Sequence, residues 1–409
     1  MWTLLHIIDA YLNGSRNVNS QAFVVGMKGL LILSMLLALI SCVLVQTGKE
    51  MDDKAKVKLN SLVGDNSPGI QYVVVNKNET IFEHTVGLSN ITQATPLNSA
   101  HTMSAFSMTK TVTAIAVFQL VESHKIELDD PVSDYIEHPY NTHISIRQLL
   151  SHTAGIANPI PLNWVHLSKE HGSFDEASAL RKVLNDNPDL ETQPGTEYSY
   201  SNIGYWLLGK VIEKVSGKTY ADYVTDNIFD VLGLTSNEIG FLIADETNQA
   251  KGYLKKWSLM NLIGRFFINK NLLGEYEGSW LHIKNVYLNG PSFGGVIGSA
   301  VAFSKILQDL LSEQSKLLNE QSKQLLYLQQ KTNAGENVDM TLGWHIGELN
   351  GVRYYFKEGG GAGFRSEMRI YPNNGLASVL MTNKTSLNSR KILSELDSNY
   401  LASDEEDTH

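Results

Sequence analysis

Ser107-Met108-Thr109-Lys110 opens a long apolar run, and its reading decides the fold. The run predicts a helix from about Lys110 to Ser123. Residues three apart share a helical face, which places the Ser107 hydroxyl beside the Lys110 amine. A serine hydroxyl is a poor nucleophile until a neighbouring base takes its proton. A lysine serves as that base once burial or nearby positive charge lowers its pKa. The helix start adds backbone N–H groups and positive potential for a developing oxyanion. Ser-x-x-Lys alone is common on surface helices, so its meaning depends on what else the chain carries.

Two further motifs carry chemistry. Tyr200-Ser201-Asn202 follows Gln193-Pro194-Gly195-Thr196 and precedes a predicted helix, Gly204 to Val215, closed by Gly217. A tyrosine near a lysine can share its proton or be held as phenolate. The plainer reading is a strand–turn–helix junction with a buried Tyr and a capping Asn. Lys357-Glu358-Gly359-Gly360-Gly361-Ala362-Gly363-Phe364 lies on a predicted strand. Its glycines point to close approach of backbone to a ligand, or else to a flexible turn.

Strand patterns lie at both ends of the chain. Ile70–Val75 and Thr80–His84 flank an Asn76-Lys77-Asn78 turn. Gly343–Leu349, Arg353–Lys357, Ser366–Tyr371 and Ala377–Asn383 follow near the C-terminus, with Asn373-Asn374-Gly375 turning between the last two. The expected class is α+β: one antiparallel sheet built from both ends of the chain, flanked by helices, with a mostly helical region inserted.

In this order the three motifs resemble the set carried by serine β-lactamases and penicillin-binding proteins. Phe118 through Val132, the segment Ile146-Arg147-Gln148-Leu149-Leu150-Ser151-His152-Thr153-Ala154-Gly155-Ile156, and Gly363-Phe364 extend the likeness over roughly residues 65–390. It is nearest the class C β-lactamase and esterase branch. The resemblance implies acylation of Ser107, with Lys110 and Tyr200 sharing the base and acid roles. It implies that Asn202 orients the substrate amide or the lysine, and that Lys357 favours tyrosinate. The backbone N–H groups of Ser107 and Gly360 would form the oxyanion hole. Glu358 and Gly359 would contact substrate. His152 reads as a packed structural histidine rather than the base.

Two departures stand out. Glu358 occupies a place where the lactamase pattern has Thr, whose hydroxyl helps bind the substrate carboxylate. A carboxylate there would repel one, unless Arg365 or Arg369 offsets it. The segment Tyr253–Trp280 is apolar with basic edges and reads as a helix, either a core helix of the inserted region or a lid or membrane-resting patch.

The 409 residues carry 43% apolar and 19% charged side chains, which suits a globular enzyme with a sizeable core. A net charge of −10 argues against nucleic acid as a partner. The 12 His are scattered and no Cys/His cluster has metal-ligand spacing, so neither cofactor nor metal is called for. From Gly29 to Gly48 no residue is charged, long enough for a membrane span. Leu39-Ile40-Ser41-Cys42 resembles a bacterial lipobox, which would make Cys42, the one cysteine, a lipidation site. An uncleaved signal anchor is the alternative. A compact signal would start at Met27. The expected organisation is an anchor over 1–45, a polar tether over 46–64, a serine hydrolase domain over 65–400 and an acidic tail over 401–409. The expected location is the bacterial cell envelope, exported and membrane-anchored. The leading function is a serine hydrolase on a small-molecule or peptide substrate with an ester or amide bond. The alternatives are a D,D-peptidase, transpeptidase or β-lactamase, and an inactive peptide-binding module.

Overall fold

The computed structural model describes residues 49–140, 142–161, 164–256 and 269–401. The chain divides into two units, Met1–Lys56 and Val57–His409. In the first, the described residues 49–56 are helical, with Lys54 paired to Glu50 one turn earlier at 2.9 Å. In the second, residues 57–61 are also helical and Leu59 is fully buried. The described part of the segment read as a polar tether is thus helical in each unit, over 49–56 and over 57–61. Its Lys, Met, Ala and Leu residues favour helix, and charges four apart pair along one face. The anchor segment, Cys42 included, lies outside the described residues, as does the acidic tail beyond Leu401.

The second unit is built on a six-stranded antiparallel sheet. Its order is His345–Leu349, Val352–Gly361, Phe364–Tyr371, Leu376–Thr382, Ile70–Asn76 and Thr80–Val86. The two ends of the chain meet inside the sheet, between its fourth and fifth strands, in register from Ile70↔Thr382 to Asn76↔Leu376. Ile70 to Val75 is buried throughout, as a largely apolar strand covered on both faces requires, and its one polar side chain, Gln71, is hydrogen-bonded to the Asn98 and His101 carbonyls. Each fully buried aliphatic side chain there contributes roughly 1.5–3 kcal/mol. The Ala300–Leu311 helix packs on the central strands. The Ser389–Asp397 helix packs on the Phe364–Tyr371 and Leu376–Thr382 strands, where Asp397 accepts hydrogen bonds from Tyr72 (2.9 Å) and Tyr371 (2.7 Å). Gly375 closes the last hairpin at φ +63°, a conformation that favours glycine.

The inserted region supplies the helices beside the sheet. Thr109–Glu122 is buried at every position from Thr109 to Phe118. A mostly apolar helix buried on all sides belongs at the centre of a core, and this one packs against Asn202–Ser216 and the short turn Pro291–Gly294. Ser201 caps the second helix by accepting from the Gly204 N–H at 3.1 Å, and Gly217 ends it at φ +73°.

The helix read over Tyr253–Trp280 is replaced at its described ends by strands. Gly252–Lys255, Trp280–Ile283 and Leu273–Glu277 form a three-stranded antiparallel sheet in that order. Glycines 274 and 278 interrupt any helical period there, and Gly278 turns at φ +63°. Residues 257–268 of that reading lie outside the described residues.

Candidate active site

Ser107 sits on a single 3-10 turn, Phe106–Met108, that runs directly into the long buried helix. Phe106 adopts φ +48°. For a residue with a Cβ, that left-handed backbone costs roughly 1–2 kcal/mol, held by the packing around it. Two contacts hold the turn. The Ser366 hydroxyl donates to the Ala105 carbonyl at 3.1 Å, and the Val296 N–H donates to Thr109 Oγ1 at 3.0 Å. The glycine strand presses against the same place. A Cβ on Gly359 would stand 2.0 Å from the Ala105 carbonyl oxygen, and one on Gly361 would stand 2.7 Å from the Phe106 ring. These glycines therefore bring the strand onto the backbone beside Ser107. Gly359, read as a substrate contact, serves that close approach. Gly360, between them, is exposed.

Two side chains converge on the half-buried Ser107 hydroxyl. Lys110 Nζ lies 3.2 Å from Ser107 Oγ, and the Tyr200 hydroxyl donates to Oγ at 2.8 Å. Lys110 is wholly buried and also reaches Asn202 Oδ1 at 2.8 Å and the Phe293 carbonyl at 2.6 Å. Burial, and then the charge of Lys357, hold its amine well below the ordinary lysine range. Both push it toward the neutral form. A neutral amine has two N–H bonds, which Asn202 and Phe293 can occupy. Its lone pair is then left for the Ser107 proton.

Tyr200 lies between the two lysines. Lys110 Nζ is 5.0 Å and Lys357 Nζ 5.1 Å from its ring centroid. Burial nevertheless raises its pKa far above the ordinary phenol range, and the hydrogen bond to Ser107 offsets this only in part. The tyrosinate expected beside Lys357 is not favoured here. Burial thus disfavours phenolate at Tyr200 and ammonium at Lys110, which leaves the Lys110 amine as the candidate base. Lys357 is fully buried, and desolvation lowers its pKa to about 7, with the charge of Glu358 opposing.

His152 is buried on the ring of Tyr200, with centroids 4.3 Å apart. Its Nδ1 accepts from the Ser201 N–H at 3.2 Å, which places the ring proton on Nε2. Burial and the two lysines keep the imidazole neutral. It packs behind the tyrosine, as the sequence reading holds.

Glu358 stands on the sheet face opposite Lys357, since successive strand residues alternate. It lies 3.6 Å from Arg365 and 3.4 Å from Arg390. Arg365 offsets it, as anticipated. Arg369 does not: it is fully buried and bound to Glu367 at 2.7 Å, with Asp397 at 3.7 Å.

Sequence reasoning passes over three members of the site. Phe293 contributes a backbone carbonyl, which no motif can reveal. Asn158 Oδ1 accepts from both Asn202 N (3.1 Å) and Asn202 Nδ2 (3.0 Å). Its only signal is its place three residues after Gly155. His345 Nε2 lies 3.4 Å from Lys357 Nζ. It lies at the start of the His345–Leu349 strand, which pairs with the lysine's own strand and is brought beside the lysine only by that long-range pairing. Burial and the charge of Lys357 push its pKa down to about 2.

The family profile described as Beta-lactamase matches residues 54–399. A penicillin-binding protein of Bacillus subtilis (strain 168) is 24% identical over 312 residues, covering 75% of this chain. The chain spans 66% of that relative's length, slightly under two thirds. The octameric penicillin-binding protein homologue from Pyrococcus abyssi superposes with a TM-score of 0.68 at 19% identity, over 88% of this chain and 76% of that one. The D-amino acid amidase from Ochrobactrum anthropi SV3, complexed with D-phenylalanine, superposes with a TM-score of 0.65 at 17% identity, over 86% of this chain and 97% of that one. At such identities the structural likeness establishes the α+β fold.

Proposed function

The chain belongs to the Beta-lactamase family, and from that premise we propose that it is a serine hydrolase forming an acyl-enzyme on Ser107 with an ester, amide or peptide substrate. The observation that carries this reading is the convergence of Lys110 Nζ, at 3.2 Å, and the Tyr200 hydroxyl, at 2.8 Å, on Ser107 Oγ. The three side chains come from a 3-10 turn, the buried helix that follows it and a distant segment of chain. A binding module has no need of a buried amine, which costs several kcal/mol to desolvate.

The chemistry follows from that geometry. The neutral Lys110 amine takes the Ser107 proton as Oγ bonds to the substrate carbonyl carbon. The carbonyl π pair moves to oxygen, and the resulting oxyanion accepts hydrogen bonds from the Ser107 and Gly360 N–H groups. As the oxyanion collapses, the bond to the leaving group breaks and the Tyr200 phenol protonates it. The Lys110 ammonium then returns a proton to Tyr200, so the net transfer is from serine to leaving group. Water repeats the sequence on the acyl-enzyme and releases the acid.

Amide or peptide substrates are favoured by one feature of the sheet. Beyond Phe356 the outer edge of Lys357–Gly361 has no paired strand among the described residues. An extended peptide can add to such an edge. The relatives' names, penicillin-binding protein and D-amino acid amidase, agree with a bond of this kind. For the whole protein we propose a cell-envelope location through the apolar segment before Lys49, by lipid on Cys42 or by an uncleaved span. Among the described residues no helix is long and apolar enough to cross a membrane.

Fluorophosphonate and fluorescent penicillin probes, with mass spectrometry of the labelled peptide, test the assignment. Label is expected on Ser107 and absent from Ser107→Ala. Undiminished ester hydrolysis by Ser107→Ala would sink it.

A further inference from the structure

We infer that Asn158 is a positioning residue that fixes which atom of the Asn202 amide faces Lys110, and so aims the Lys110 lone pair at Ser107. This inference rests on the acyl-enzyme reading above. The Asn202 backbone N–H is a donor whose identity is beyond choice. It points at the Asn158 side chain at 3.1 Å. Only an acceptor can stand there, so the Asn158 amide must present Oδ1. The same oxygen lies 3.0 Å from the outer end of the Asn202 side chain. Two oxygens would repel, so that end must be Nδ2. The remaining end, Oδ1, is thereby turned onto Lys110 Nζ at 2.8 Å. One backbone N–H thus orients two amides in series, and the second sets the hydrogen bonding of the base.

The orientation has a chemical consequence. With Asn202 Oδ1 and the Phe293 carbonyl both accepting from Nζ, a neutral amine spends both N–H bonds on them. Its lone pair is left toward Ser107. With the Asn202 amide reversed, Nδ2 would donate to that lone pair instead. The serine proton would then have no acceptor, and an ammonium at Nζ would face a donor rather than an oxygen. Asn158 itself stays clear of the reacting atoms: it is half-buried, and its side-chain oxygen accepts twice from Asn202. The other groups facing Lys110 are Lys357 and His345 from the sheet, Tyr200 just before the Asn202–Ser216 helix, Tyr205 within it, and His152 behind them. All remain in place in the variants below.

The test measures the rate of Ser107 labelling by a fluorophosphonate probe against pH, in the full chain. Wild type, Asn158→Leu, Asn158→Asp and Ser107→Ala are compared. Asn158→Leu removes the acceptor. Labelling is expected to fall at least about tenfold, and the acid limb of the profile to move to lower pH, because a donor now opposes the ammonium. Asn158→Asp keeps an acceptor for both N–H groups and adds a negative charge. It is expected to recover most of the rate and to move the acid limb to higher pH. A merely structural role would lower both rates without moving the limb in opposite directions. If Asn158→Leu fails to fold, the upward movement in Asn158→Asp still has to appear. An unmoved limb in Asn158→Asp, or a wild-type rate and limb in a folded Asn158→Leu, overturns the inference. Absence of label on Ser107 in the wild type would instead overturn the acyl-enzyme reading beneath it.

Discussion

Replacing Lys357 with methionine should make the protein more stable and nearly inactive. Lys357 is fully buried and desolvation lowers its pKa from 10.5 to about 7. At about 1.4 kcal/mol for each tenfold change in proton affinity, that fall amounts to roughly 4 kcal/mol of stability at neutral pH. Methionine has a similar length and no charge to desolvate. Allowing for imperfect packing, Lys357→Met should gain about 2–4 kcal/mol at pH 7. The direction of the shift sets the pH dependence. Between pH 7 and 10.5 the unfolded chain holds the Lys357 proton and the folded protein has lost it. Wild-type stability therefore climbs with pH across this window, and the variant's advantage shrinks toward zero by its upper end. Urea unfolding at pH 7 and pH 10 reads both effects, provided the two proteins share an m-value. Labelling of Ser107 should drop by about 10²-fold or more, since the proton traffic at Tyr200 loses its neighbouring charge. A variant less stable than wild type at pH 7, or a difference that ignores pH, would refute the claim that Lys357 is held against its own desolvation.

Three other outcomes are expected. Glu358→Thr should raise penicillin acylation relative to neutral-ester acylation, but only about two- to fivefold, because Arg365 at 3.6 Å and Arg390 at 3.4 Å already offset a partly exposed carboxylate. An unchanged ratio would mean that Glu358 does not sense the substrate's charge. His345→Glu places an anion beside Lys357 Nζ, now 3.4 Å from the imidazole, and should move the titration near pH 7 upward by about 1–2 in the labelling profile. A profile that stays put would separate His345 from the chemistry. Cys42→Ser should send the protein to the soluble fraction or leave an unprocessed precursor, and an unmodified Cys42 in a retained span, seen by intact mass, would favour the signal anchor.

The Glu358 case shows where a linear reading stops. From the motif alone Glu358 stands in the place of a substrate-binding hydroxyl. The strand's alternation turns it to the face opposite Lys357, toward Arg390 on the terminal helix. That arginine is 32 residues away in the chain, so nothing local announces it. Arg369, only four residues beyond Arg365, is drawn instead to Glu367 and Asp397 in the interior. The stretch after Tyr253 failed differently. Its apolar content is helical in amount, but Gly274 and Gly278 break the period, and strands form at its described ends.

By itself the sequence determined what depends on local order. Strand patterns at both ends of the chain imply a shared sheet. Serine and lysine three apart imply one helical face, and glycines imply backbone approach. Those choices follow from short-range sterics and periodicity, which residues carry with them. Only the tertiary structure decided the protonation of the site. Whether Tyr200 rests as phenol or phenolate, and whether Lys110 rests as amine or ammonium, depends on burial and on charges brought from distant segments. Desolvation and Coulomb energy act through space. They exist only once Lys357, His345, Asn158 and the Phe293 carbonyl are folded around one hydroxyl.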